Sequence, residues 1–240
     1  MNDILSEIEK YKSLSEEPFP IVLFGSSNTA VAYNSYGRHN WGEWIHRVIR
    51  INVGMNFKIL NSGVGGDTAE KLLARIERDV LYYRPKAVIL TVGGNDCRKD
   101  VGLDVFKTRL NRIIDILEEN NIITVMQTYY ALDNSLFDDS VENEARIKRE
   151  FPFYMEVVKE VAKERNLMLI DQYKYFEPLY KKDVAMYKKL MIDRMHVNYI
   201  GNFIMANNVA RALELGEIEI PDDVKDEFNF FVSEMDALNK

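Results

Sequence analysis

The most constraining feature of this 240-residue chain is a rhythm of short apolar runs separated by stretches of helical periodicity. The runs are PIVLF (20–24), FKILN (57–61), KAVILTV (86–92), IITVMQT (122–128) and LMLID (167–171). Between them, WGEWIHRVIRI (41–51) gathers Trp41, Trp44, Ile45, Val48 and Ile49 on one side. TAEKLLARIERDVLYY (68–83) does the same with Leu72, Leu73, Ile76 and Val80, and LDVFKTRLNRIIDILEENN (103–121) closes on an Asn pair. A longer polar segment (129–142) precedes a helix near 144–165, and YIGNFIMANNVARALEL (199–215) resumes the helical pattern. Strands that are apolar throughout are buried on both faces, as in a parallel sheet covered by crossover helices. Right-handed crossovers then predict one α/β domain, a three-layer α/β/α sandwich on a five-stranded parallel sheet. Residues 1–17 add an N-terminal helix, and 221–240 a C-terminal helical extension. Its Val224, Phe228, Phe231 and Met235 suit either a cover for the core or a homo-oligomer contact.

Composition narrows the function. Acidic residues outnumber basic ones, 38 to 31, giving a net charge of −7 with no concentrated Lys/Arg stretch. Nucleic-acid binding needs a basic face, so nucleic acid is not expected as a partner. The pairs Lys181-Lys182 and Lys188-Lys189 read as solvated helix faces. The single cysteine, Cys97, excludes an internal disulfide. Beside it no CxxC or Cys/His cluster suggests zinc, so no metal or cofactor is expected. Cys97 itself reads as a small filler. The start, MNDILSEIEKYKSLSEEPFP, lacks the apolar core of a secretory signal, and no run approaches the roughly 18 apolar residues of a membrane span. A cytoplasmic protein is the expectation.

Small polar residues collect after the first three apolar runs: GSSNT (25–29), NSGVGGDT (61–68) and GGND (93–96). In open parallel sheets, ligands bind beyond the carboxyl ends of the strands. A strand order of 2-1-3-4-5 would bring these segments to one crevice. Each also has a local explanation: Asp67 or Thr68 suits a helix cap for AEKLLARI, and GGND suits a turn. A serine hydroxyl there needs a base. Of the three histidines, His46 is expected at solvent, and His39 sits in a loop that can reach the site. His196 lies in DRMHVNYIG (193–201) with Asp193 three residues before it. That spacing lets a carboxylate hold one ring nitrogen while the other points elsewhere. It equally fits Asp193 as a cap for the following helix.

These four segments resemble, in order and spacing, the SGNH (GDSL-type) hydrolase superfamily. Ser27 matches its nucleophile block, Gly66 its glycine block, Asn95 its asparagine block, and Asp193 with His196 its DxxH block. One departure is plain: Ser26 stands where the superfamily's first block has Asp, which makes Ser26 a rival nucleophile. The resemblance implies cofactor-free ester hydrolysis through an acyl-enzyme. Ser27, Asp193 and His196 would be catalytic. The Ser27 and Gly66 N–H groups and the Asn95 amide would form the oxyanion hole, Gly66 because a Cβ would obstruct the oxyanion. An imidazole in reference peptides titrates near about 6.5, so activity should rise from mildly acid to neutral pH.

Segment 129–155 carries Tyr129, Tyr130 and Phe137 and reads as a rim or lid. Loop 32–41, AYNSYGRHNW, is rich in groups that suit sugar hydroxyls. Asn28, His39, Tyr129 and Tyr130 are the candidate substrate contacts. With no greasy channel in the sequence, the favoured partner is a small-molecule ester with a short acyl chain, such as acetyl on a carbohydrate. Two alternatives stay open: a carbohydrate- or small-molecule-binding protein without turnover, and a lipase- or lysophospholipase-type acylhydrolase.

Overall fold

The structure is a computed structural model that describes residues 4–13, 17–31 and 37–240. Five strands, β1 (Phe19–Gly25), β2 (Phe57–Gly63), β3 (Ala87–Thr91), β4 (Ile123–Gln127) and β5 (Met168–Ile170), form one sheet in the order β2-β1-β3-β4-β5. Every pairing is parallel. Class, layering and strand order are those read from the sequence.

Side chains alternate across a strand, and the two faces feed two cores. Ile21, Leu23, Ile89 and Val125 meet α1 (Ile4–Ser13), α2 (Trp41–Asn52), α7 (Gln172–Lys182), α9 (Tyr199–Ala212) and α10 (Lys225–Leu238). Val22, Phe24, Val88, Leu90 and Met126 meet α3 (Ala69–Asp79), α5 (Leu103–Glu119) and α6 (Glu142–Glu164). Two short helices, α4 (Gly94–Arg98) and α8 (Val184–Lys188), complete the set. Helix α5 stops where Asn121 turns left-handed at φ 57°, a conformation Asn tolerates at helix ends.

Val224, Phe228, Phe231 and Met235 are buried in the chain's own core, and the Phe228 ring stacks on Phe203 at 4.2 Å. A homo-oligomer contact through α10 would have to use its other face, where Phe230 is exposed. Among the described residues no helix is long and apolar enough to cross a membrane.

Three local readings are corrected. GGND is a turn only at Gly93, and Gly94 already begins α4. Thr68 is the N-cap residue of α3, but neither its side chain nor that of Asp67 makes the capping bond; the Asp96 carboxylate, from the next crossover, accepts the Ala69 N–H at 3.0 Å. His46 is half-buried, and burial followed by the charge of Arg50 pushes its imidazole below the usual value.

Candidate active site

Strand β1 ends at Gly25, and the chain turns at once, with Thr29 N–H and Ala30 N–H both donating to the Ser26 carbonyl. The turn needs glycine at 25, because a Cβ there would lie 2.3 Å from Thr29 Oγ1 and 2.6 Å from the Thr91 carbonyl. Three side-chain N–H donors from neighbouring elements, an indole and two amides, hold the turn from outside. Trp41 Nε1 donates to the Asn28 carbonyl at 2.8 Å, and Asn61 Nδ2 to that of Thr29 at 2.6 Å. Asn40 Nδ2 donates to that of Ala30 at 3.2 Å. Fixed this way, Ser27 points into a cleft at the carboxyl end of the sheet.

Across the cleft, Ile192 N–H bonds the His196 carbonyl and Met191 pairs with Val197, closing a tight loop around DRMH. Asp193 Oδ1 accepts the Met195 and His196 N–H groups at 2.7 and 2.8 Å. The same carboxylate meets His196 Nδ1 at 2.9 Å through Oδ2. The other ring nitrogen, Nε2, lies 2.9 Å from Ser27 Oγ. The cap for α9 is Asn198, which accepts from Ile200 and Gly201, so Asp193 is not spent on that helix. Burial pushes the Asp193 carboxyl up, but the hydrogen bonds from Met195 and His196 outweigh it and hold it below the usual value.

Gly66 and Asn95 line the same cleft. An added Cβ at Gly66 would meet no protein atom within 4 Å, but φ is +81°, so the backbone itself also favours glycine there. Among the described residues neither the Ser27 nor the Gly66 N–H has an acceptor. Asn95 Nδ2 donates to the Asp67 carbonyl at 3.1 Å, which aims the amide and leaves its second proton unspent.

Ser26 is buried, its hydroxyl 2.6 Å from Tyr129 OH. The position where Asp is usual is thus engaged by a phenol. Tyr129 walls the cleft with its ring, packed where a Cβ on Gly94 would touch it at 3.3 Å. Asn28 also lines the cleft, but its Oδ1 accepts from Tyr130 OH at 2.8 Å. Tyr130 is fully buried and is not part of the lining, which corrects its expected substrate contact. Its hydroxyl proton is shared between Asn28 Oδ1 and the Met195 carbonyl, while its oxygen accepts the Val197 N–H at 3.0 Å. One phenol therefore ties the Ser27 turn to the His196 loop. His39 does not line the cleft either; its exposed ring stands edge-on to Trp44 at 4.9 Å. Residues 32–36, the rest of the proposed sugar-binding loop, lie outside the described residues. The lid expected over 129–155 is partly helix, and its Phe137 is buried under Arg194.

Sequence reasoning missed Arg98, Leu132, Phe151 and Met195 in the lining. Phe151 carries the periodicity of a core position, and only its place in the fold reveals a second face. It also missed Arg75, a buried guanidinium behind the site. Arg75 Nε donates to Asp67 Oδ2 at 2.7 Å, and Nη1 to the Ser62 carbonyl and Asp79 at 2.9 Å. Its Nη2 donates to the Gly25 carbonyl at 2.9 Å. Among the described residues no group of three or more His, Cys, Asp or Glu side chains could hold a metal ion.

The chain is similar to known proteins in sequence and in fold. An acetylxylan esterase of Geobacillus stearothermophilus is 25% identical over 172 residues, covering 66% of this chain and 73% of that protein. The crystal structure of the acetyl xylan esterase AlAXEase superposes with a TM-score of 0.67 at 26% identity, covering 81% of this chain and 99% of that one. LAE5, an α/β hydrolase enzyme from the metagenome of Lake Arreo, Spain, shares the fold with a TM-score of 0.67 at 19% identity, covering 84% and 98%. The model of the GDSL-like Lipase/Acylhydrolase family matches residues 23–202, from β1 into α9. The chain belongs to the GDSL-like Lipase/Acylhydrolase family.

Proposed function

We propose that this protein is a serine esterase that removes a short acyl group, acetyl on a carbohydrate, through an acyl-enzyme. The observation that carries the reading is the hydrogen-bonded chain from Ser27 Oγ through His196 to Asp193, with links of 2.9 and 2.9 Å. In this mechanism Ser27 Oγ attacks the ester carbonyl while its proton passes to His196 Nε2. Asp193 holds the ring and stabilises the imidazolium. The oxygen that becomes negative is met by the Ser27 and Gly66 N–H groups and the free proton of the Asn95 amide, each already in place before charge develops. The ester C–O bond then breaks as His196 gives its proton to the leaving alcohol. Water, deprotonated by the same imidazole, attacks the acyl-enzyme, releases the acid and restores Ser27.

A short acyl group fits the cleft. Its volume is about 160 Å³, well below the roughly 300 Å³ at which pockets begin to enclose drug-sized ligands. One wall is apolar, from Tyr129, Leu132, Phe151 and Met195, which suits a methyl group better than a sugar. The acetylated-carbohydrate part draws on the two acetylxylan esterases to which the chain is similar.

The test is hydrolysis of p-nitrophenyl acetate by the wild type and by Ser27→Ala, both verified as folded. The wild type should turn over and Ser27→Ala should fall to the uncatalysed rate. Matched low rates would overturn the esterase and favour a protein that binds its ligand without turnover.

A further inference from the structure

We propose that the alcohol half of the ester carries a carboxylate, as in an acetylated uronate-bearing saccharide, and that Arg98 recognises it. This deepens the esterase reading and rests on it. Arg98 ends α4, three residues after Asn95, and its side chain lines the cleft that holds Ser27 and His196. Among the described residues it is the one permanently charged side chain in that lining.

Arg98 is exposed, and among the described residues no carboxylate pairs with it. The acidic side chains around it are committed elsewhere. Asp96 is buried on the Ala69 N–H, and Asp67 is paired with Arg75. Asp100 and Glu150 both serve Arg146 Nη1, at 3.4 and 3.0 Å. Lys99 adds a second cation on this rim without a carboxylate, its Nζ donating to the Gly66 carbonyl at 3.3 Å. In a chain of net charge −7, Arg98 and Lys99 thus stand at this cleft as cations without a carboxylate partner among the described residues.

Position decides which half of the ester Arg98 meets. The apolar wall and small volume of the cleft take the acyl group. Arg98 stands at the solvent side, where the alcohol must project. A planar guanidinium offers parallel N–H donors that match a carboxylate, which a neutral sugar cannot exploit equally.

The experiment compares an O-acetylated glucuronic acid with its methyl ester, followed by acetate release; the methyl ester removes the charge on the alcohol half and adds one methyl group. The readout is the ratio of kcat/KM, acid over methyl ester, at low and high salt. For a solvent-facing ion pair the wild-type ratio should be about 3 to 5 at low salt and shrink as salt is added. Arg98→Gln should bring the ratio to about one, Arg98→Glu should invert it, and Arg98→Lys should fall between wild type and Gln. A wild-type ratio of one or below, or a ratio unchanged in Arg98→Gln, would overturn this inference while leaving the esterase standing. No deacetylation of either substrate or of p-nitrophenyl acetate by the wild type would overturn the esterase reading and this inference with it.

Discussion

Asp96 links two residues proposed to bind the oxyanion: it follows Asn95 in sequence and caps the helix that follows Gly66. Burial pushes its carboxyl up to about 6, against the opposing pull of the Ala69 N–H and of Arg109 and Lys99. Its ionised form is therefore less favoured in the fold than in the unfolded chain. The stability this group contributes is fully present below its ordinary value of 3.8 and is lost as pH rises through about 6. Asp96→Asn keeps an oxygen for the Ala69 N–H and removes the ionisation. It should be more stable than wild type by about 2 to 3 kcal/mol near pH 8, with the gap closing toward pH 4. Denaturant unfolding at the two pH values measures this, and a pH-independent gap would refute it. Of the residues at this scale, Ser27, Asn95, Asp193 and His196 were legible because each sits in a short polar block with fixed spacing. The role of Asp96 was hidden because its partner is 27 residues away. That of Tyr130 was hidden because a phenol one residue from a cleft-lining Tyr129 looks the same in sequence whichever way it points.

Between elements, Arg75 adds a side-chain tie across β1, β2 and α3 to the backbone bonds that pair the two strands. Its one side chain reaches the Gly25 and Ser62 carbonyls at two strand ends and the carboxylates of Asp67 and Asp79. Its face also stacks on Phe24 at 4.7 Å. Gly25 is two residues from Ser27, and Asp67 is next to Gly66. The guanidinium therefore helps, beside the backbone bond from Val64 N–H to the Gly25 carbonyl, to hold the Ser27 turn against the Gly66 turn. Arg75→Met would leave the Asp67 carboxylate buried without its main partner, a loss of about 3 to 5 kcal/mol in stability. In the population that folds, kcat on p-nitrophenyl acetate should fall more than KM rises. Arg75→Lys should rescue little, since an ammonium cannot span the same acceptors. A fall in stability with unchanged kcat would reduce Arg75 to a structural part only. Strands and long helices were readable because their apolar patterns repeat within a few residues. The short α4, the cap on α3 and the buried half of His46 were not, because contacts from distant segments settle them.

Across the molecule, the parallel sheet brings the carboxyl ends of β2, β1 and β3 side by side, so three separated polar segments meet on one edge. The last segment arrives from beyond β5 and is locked to the first through Tyr130. The strand order could be expected from the chain because it is one that gathers the three segments. The rim could not, since Leu132, Phe151, Met195 and Arg98 come from segments whose sequences resemble ordinary core or surface. The central claim is that Ser27, and not its neighbour Ser26, is the nucleophile this arrangement activates. Incubation with a p-nitrophenyl dialkyl phosphate, followed by peptide mass mapping, tests it directly. The account predicts a single phosphoryl adduct on Ser27, absent in Ser27→Ala. An adduct on Ser26, or one that persists in Ser27→Ala, would contradict it.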